Sequence, residues 1–157
     1  MNAKTKRELP VLVVDDDADD RMLFAEAFAY AKLENPVAFV ENGEELLDYL
    51  RNQREYADAD AFPTPGLILL DLNMPRKSGR EALREIRADA ALRHLPIVVV
   101  STSRSEDEIR HCYAEGANAF ASKPASHAGF MRLIHSLGEH WLSLVELPNP
   151  ARTAGTE

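Results

Sequence analysis

Five short apolar runs, each followed by a stretch of helical period, succeed one another along this chain. That alternation restricts the fold more than any other feature. The runs are Val11–Val14, Pro36–Val40, Leu67–Leu70, Ile97–Val100 and Ala119–Ser122. The first is uniformly aliphatic, whereas a strand with one wet face alternates, so it suits a sheet covered on both sides. Strict alternation with right-handed crossovers then gives an α/β domain: a doubly wound, five-stranded parallel sheet with helices on both faces.

The intervening stretches have recognisable ends. Asp17 is a plausible N-cap for a helix from near Ala18 to Leu33, with Phe24, Ala27, Phe28 and Ala31 on one stripe. Asn42 can cap the next helix, which includes Leu46, Leu47 and Leu50 and frays near Tyr56 into a loop containing Pro63, Pro65 and Gly66. A third helix spans Gly79 to Ala88. Ser105 and Glu108 form a capping-box pattern for the fourth, which Gly116 can close. The last helix starts near Ser126 and runs to about Val145, before Leu147, Pro148 and Pro150.

Composition removes several function classes. A chain of 157 residues has room for one ordinary domain, and 45% hydrophobic with 28% charged residues fits a chain that buries a core. Its net charge of −8 argues against a nucleic-acid surface, which needs a basic patch. The single cysteine, Cys112, excludes an internal disulfide, so a reducing, cytoplasmic setting is expected. No apolar stretch approaches the roughly 20 residues needed to span a bilayer. Met1 to Leu9, with Lys4, Lys6 and Arg7, lacks the apolar segment of a signal peptide. Neither nucleic acid nor membrane is an expected partner.

The chemistry lies where the runs end. Asp15 and Asp16 follow the first run, Asp71 the third, Ser101 the fourth and Lys123 the fifth. In a flavodoxin-like strand order, 2-1-3-4-5, the first and third strands are neighbours at the switch point, and open α/β folds bind ligands at that carboxyl edge. Three carboxylates then converge. Like charges so close raise one another's pKa unless positive charge is supplied, and Lys123 supplies one unit. Mg²⁺ answers the imbalance, because it takes oxygen ligands from one or two carboxylates and keeps several waters. Taken singly, an aspartate after a strand is ordinarily a turn residue or a cap, and Lys123 before Pro124 an ordinary surface lysine. Five such residues at one edge favour a site.

Val-Val-Asp-Asp at 13–16, Leu-Leu-Asp-Leu-Asn-Met-Pro at 69–75 with Gly79, Val-Val-Ser-Thr at 99–102 and Lys123-Pro124 together resemble the receiver domain of two-component response regulators. The resemblance covers roughly Leu9 to Leu137. It implies that Asp71 is the phosphoacceptor, forming an aspartyl phosphate. Asp16 would ligate Mg²⁺ with Asp71 and the backbone carbonyl of Asn73, and Asp15 would act through a water. Lys123 would bind a phosphoryl oxygen, and the Ser101 hydroxyl would move onto another as a switch. Phe120 stands at the switch aromatic position, often tyrosine in the family; the missing hydroxyl removes one hydrogen bond without preventing inward packing. The implied donor is a phosphohistidine on a sensor histidine kinase, the output a downstream protein target. Water removes the group slowly, at a rate that Asn73 and Ser103 tune. Such a chain is a phosphoacceptor signalling protein rather than an enzyme with an external substrate.

The stretch from Asp48 to Pro65 and the tail His140-Trp141-Leu142-Ser143 through Leu147-Pro148 resemble the small regulators paired with bacterial and cyanobacterial phytochromes. That organisation is a receiver domain over 9–147, between a flexible N-terminus at 1–8 and a flexible tail at 148–157, with no room for an effector domain. Trp141, Leu144 and Val145 extend an apolar stripe beyond the usual receiver and lead us to expect a homodimer through the C-terminal helix. Folding back onto the domain is the competing reading. The five histidines are assigned no catalysis, and Cys112 is read as a small packed residue. A haloacid-dehalogenase-like phosphatase fits less well: Asp19 stands where that motif wants a small residue, and Asp71 would have no role. A binding module without the chemistry would not need the whole set Asp15, Asp16, Asp71, Ser101 and Lys123.

Overall fold

A computed structural model describes residues 9–144. Its strands are β1 (Val11–Val14), β2 (Val37–Val40), β3 (Leu67–Leu70), β4 (Ile97–Ser101) and β5 (Ala119–Ser122), all parallel, in the order β2-β1-β3-β4-β5. The helices are α1 (Ala18–Tyr30), α2 (Gly43–Leu50), α3 (Gly79–Ala88), α4 (Glu106–Ala114) and α5 (His127–Glu139).

Alternate residues of the inner strands feed two separate cores. Leu12, Val14, Ile68, Leu70, Ile97 and Val99 pack with Leu46, Leu83, Ile86 and Cys112, on the face covered by α2, α3 and α4. Val11, Val13, Leu67, Leu69, Val98 and Val100 pack with Phe24, Phe28, Phe130 and Ile134, on the face covered by α1 and α5. Two-sided burial is why these strands read as continuous apolar runs. Phe24 and Phe130 meet edge-to-face at 5.2 Å and join the two helices of the second face.

The caps follow the sequence with local differences. Asp17 accepts from the Asp19 and Asp20 amides, Asn42 from Glu45 and Ser126 from Gly129. At Ser105 only the forward half of the expected box is present, a 3.3 Å bond from the Glu108 amide; the reciprocal box forms at Ser78 and Glu81. α1 stops at Tyr30 instead of Leu33, because Lys32 takes a left-handed conformation, φ 59°, that breaks the helix. The last helix also departs from expectation: α5 ends at Glu139 and passes into a π-turn, His140–Leu144, while Val145 lies outside the described residues. Leu142 is buried and Trp141 packs against the α1–α5 core, so these two fold back onto their own domain.

The long connection from α2 to β3 is held by aromatic packing. Tyr49, Tyr56 and Phe62 stack with ring centroids 5.1–5.7 Å apart. Asn52, at φ 51°, donates its side-chain amide to the carbonyls of Tyr56 (3.0 Å) and Phe62 (3.1 Å). Asparagine tolerates this backbone better than most residues and also satisfies the loop's carbonyls.

Gly79 fixes the loop after β3. A Cβ there would lie 2.1 Å from the Asp71 carbonyl oxygen and 2.8 Å from the Leu72 Cα, both backbone atoms that cannot step aside. Gly79→Ala is expected to cost about 2 kcal/mol, lowering Tm by about 4–8 °C, with the shift read by calorimetry. An unchanged Tm would mean that this loop yields freely.

Candidate functional site

Strand register assembles the site. Val14 pairs with Leu70 across β1 and β3, so the next residues, Asp15 and Asp71, emerge side by side. Their backbones are tied inward: the Asp71 amide donates to the Val14 carbonyl at 3.0 Å, and that of Asp15 to Val40 at 3.1 Å. β5 brings Lys123 to the same edge, where its amide donates to the Ser101 carbonyl at 2.7 Å. The cleft there measures about 560 Å³ and is lined by Asp15, Asp16, Asp17, Asp19, Asp20, Asp71, Asn73, Thr102 and Lys123, with Ala18.

Six carboxylates and one ammonium therefore share one cleft. Lys123 Nζ lies 2.9 Å from Asp15 Oδ2, 3.0 Å from Asp20 Oδ2 and 3.6 Å from Asp71 Oδ2, with its side chain 8% exposed. Burial pushes the Asp71 carboxyl up to about 6; Lys123 opposes the rise, while Asp15 and Asp16 add to it. Burial also raises Asp15, against its bonds from Lys123 and the Asp17 amide. For Lys123 burial disfavours the charge, but the bonds to Asp15 and Asp20 and the charge of Asp71 lift it above the ordinary lysine range. These are the signs of a pocket short of positive charge. Asp15, Asp16 and Asp71 each present a carboxylate oxygen within 4.8 Å of the others, a donor set that fits a hard divalent cation.

Of the residues singled out from sequence, Asp15, Asp16, Asp71, Asn73 and Lys123 line the cleft, while Ser101 and Phe120 do not. Ser101 is fully buried, and its hydroxyl accepts the Ser103 amide at 3.2 Å. Thr102 is the β4-end residue that faces the cleft. Phe120 is half-buried against the α2–α4 core, and its amide donates to the Tyr113 hydroxyl of α4 at 3.1 Å. Two contacts escaped the sequence reading, although the Asp19–Asp20 run itself suggests a place for cations. Asp20 holds Lys123 from the first turn of α1, and Tyr113 joins α4 to β5. Asp20 could have been found from its place three residues after the Asp17 cap, which turns it toward the strand ends; nothing in the sequence marks Tyr113.

The sequence model described as the response regulator receiver domain matches residues 11–135. The chain belongs to that family. This receiver is 32% identical over 138 residues to the response regulator Rcp1 of Synechocystis, covering 88% of this chain and 92% of Rcp1. The phosphorylated cyanobacterial phytochrome response regulator RcpA superposes with a TM-score of 0.83 at 40% identity, over 90% of this receiver and 99% of RcpA. A regulator in red light signalling of R. palustris gives 0.84 at 39% identity, over 89% and 98%. The Mn²⁺-bound form of Rcp1 gives 0.81 at 31%, over 89% and 99%. This receiver is thus homologous to phytochrome-paired response regulators. Among the described residues no helix is long and apolar enough to cross a membrane.

Proposed function

We propose that this receiver accepts a phosphoryl group from a phosphohistidine of a sensor histidine kinase of the phytochrome type. The observation that supports this is the convergence of three carboxylates with Lys123 at the switch point of the sheet. An Asp71 oxygen attacks phosphorus; the P–N bond to the donor imidazole breaks as the P–O bond to Asp71 forms, and the imidazole leaves with the bonding electron pair. Little is then asked of the protein beyond positioning and charge stabilisation. Lys123 takes a phosphoryl oxygen, and Ser101, whose hydroxyl must first leave the Ser103 amide, takes another. Phe120 then packs inward and changes the α4–β5 surface read by a downstream protein.

Asp16, Asp71 and the Asn73 carbonyl would hold Mg²⁺, with Asp15 acting through a water. The ion supplies positive charge to the transferring oxygens. Water later frees phosphate, so the chain catalyses its own transfer and slow dephosphorylation in the cytoplasm. Incubation with a panel of autophosphorylated kinases, phytochrome-type ones included, tests the proposal. Label is expected on the chain with Mg²⁺ and not with a chelator. Failure of every kinase and of small phosphodonors would overturn it.

We also infer self-association through the C-terminal segment, on narrower ground than the sequence offered. Trp141 and Leu142 pack on their own domain, so the inference rests on the sequence pattern of Leu144, Val145 and Leu147. A chain ending at Leu144 keeps the core contact of Leu142. It is expected to sediment as a monomer where the full chain sediments as a dimer; a dimer in both removes the segment from the interface.

A further inference from the structure

Lys123 is held by one carboxylate that the phosphoacceptor reading leaves without a role. Its ammonium has three protons to donate. Asp15 and Asp20 take two of them, at 2.9 and 3.0 Å. The 3.6 Å separation from Asp71 Oδ2 exceeds a direct hydrogen bond. Asp20 sits in the first turn of α1, where the helix dipole favours a carboxylate, and its side chain is 21% exposed at the cleft wall. Removing it would leave the ammonium with Asp15 and with Asp71, the nearest remaining carboxylate.

We propose that Asp20 is a positioning residue that acts through Lys123. It holds the ammonium on the α1 side of the cleft, so that the Asp71 oxygen stays uncapped for attack, and it yields the ammonium when a phosphoryl oxygen arrives. This rests on the phosphoacceptor reading above. Two ligands of opposite charge should respond in opposite directions. Without Asp20 a divalent cation loses attraction and meets an ammonium shifted toward Asp71. An anionic phosphoryl mimic gains, because Lys123 has no second carboxylate to leave.

The test compares the full chain with its Asp20→Ala variant. Mg²⁺ binding is followed by calorimetry, and beryllofluoride binding at saturating Mg²⁺ by fluorine NMR. The expected result is Mg²⁺ weakened about fivefold and beryllofluoride tightened about fivefold. Asp19→Ala is the control: it removes the same charge from the same turn, but from a side chain that does not hold Lys123. Asp20→Glu should restore most of both affinities. Equal shifts in the Asp19 and Asp20 variants would make the effect one of bulk charge and overturn the proposal. So would weakening of both ligands, which marks local damage, or no change in either. Absence of any Mg²⁺-dependent beryllofluoride adduct in the unaltered chain would instead overturn the reading of Asp71.

Discussion

Asp71→Asn is expected to reduce phosphoryl labelling of the chain to background while leaving the fold intact. The amide oxygen is a far poorer nucleophile than a carboxylate, and the other two acids on Lys123, Asp15 and Asp20, are both hydrogen-bonded to its ammonium. Asp15 is the nearest rival, but its Oδ2 is committed to the ammonium and its Oδ1 to the Asp17 amide. Asp16 is exposed at the rim. The backbone of Asp71 is anchored through its amide to Val14, so the side-chain exchange does not touch the strand. The exchange also removes a charge that the cleft already disfavours, and the metal-free variant should melt at or above the temperature of the unaltered chain near pH 7.5. Radiolabel transfer together with circular dichroism separates these effects. Label surviving at half its normal level or more would move the acceptor to another residue.

The architecture was legible because it depends on period alone. Runs such as Leu67–Leu70 must be buried on both faces, and the alternation of runs with helical stretches leaves few topologies. The site was legible to the extent that backbone position decides it: Asp15, Asp71 and Lys123 are brought together by where strands end. Side-chain direction is another matter. Ser101 is expected just after the fourth run but is the last residue of β4, and its hydroxyl bonds to the Ser103 amide, leaving Thr102 at the cleft. The reach of Asp20 to Lys123 spans 103 positions of sequence and depends on the pitch of α1. Trp141 reads from its spacing as part of a stripe running past the domain with Leu144 and Val145, yet it packs against the α1–α5 core, because helical period gives the face of a side chain and not what lies against it.

Acid is expected to stabilise the metal-free protein between pH 7 and pH 4.5, the reverse of ordinary acid denaturation. Asp71 titrates near 6 in the fold against an ordinary carboxyl value of 3.8, so in this window the folded chain binds protons that the unfolded chain does not. Stability then rises as pH falls through 6, by an amount approaching about 3 kcal/mol for two units. Asp15 is shifted the same way and adds to the trend. Glu115, paired with Arg80 and Arg84, is shifted down, so its contribution is lost only below the window. The raised value of Lys123 takes effect only above the ordinary lysine range. Mg²⁺ must reverse the slope, because it competes with protons for the same oxygens. At about 100 times its Kd the ion adds about 2.7 kcal/mol, or about 5–10 °C in Tm, at pH 7.5, and progressively less toward pH 5. Melting curves across pH with Mg²⁺ or chelator measure both slopes. A chelated protein that loses stability steadily from pH 7 to pH 5 would show that the buried carboxylates are already neutralised by protein groups alone, and the case for a cation in this cleft would fall with it.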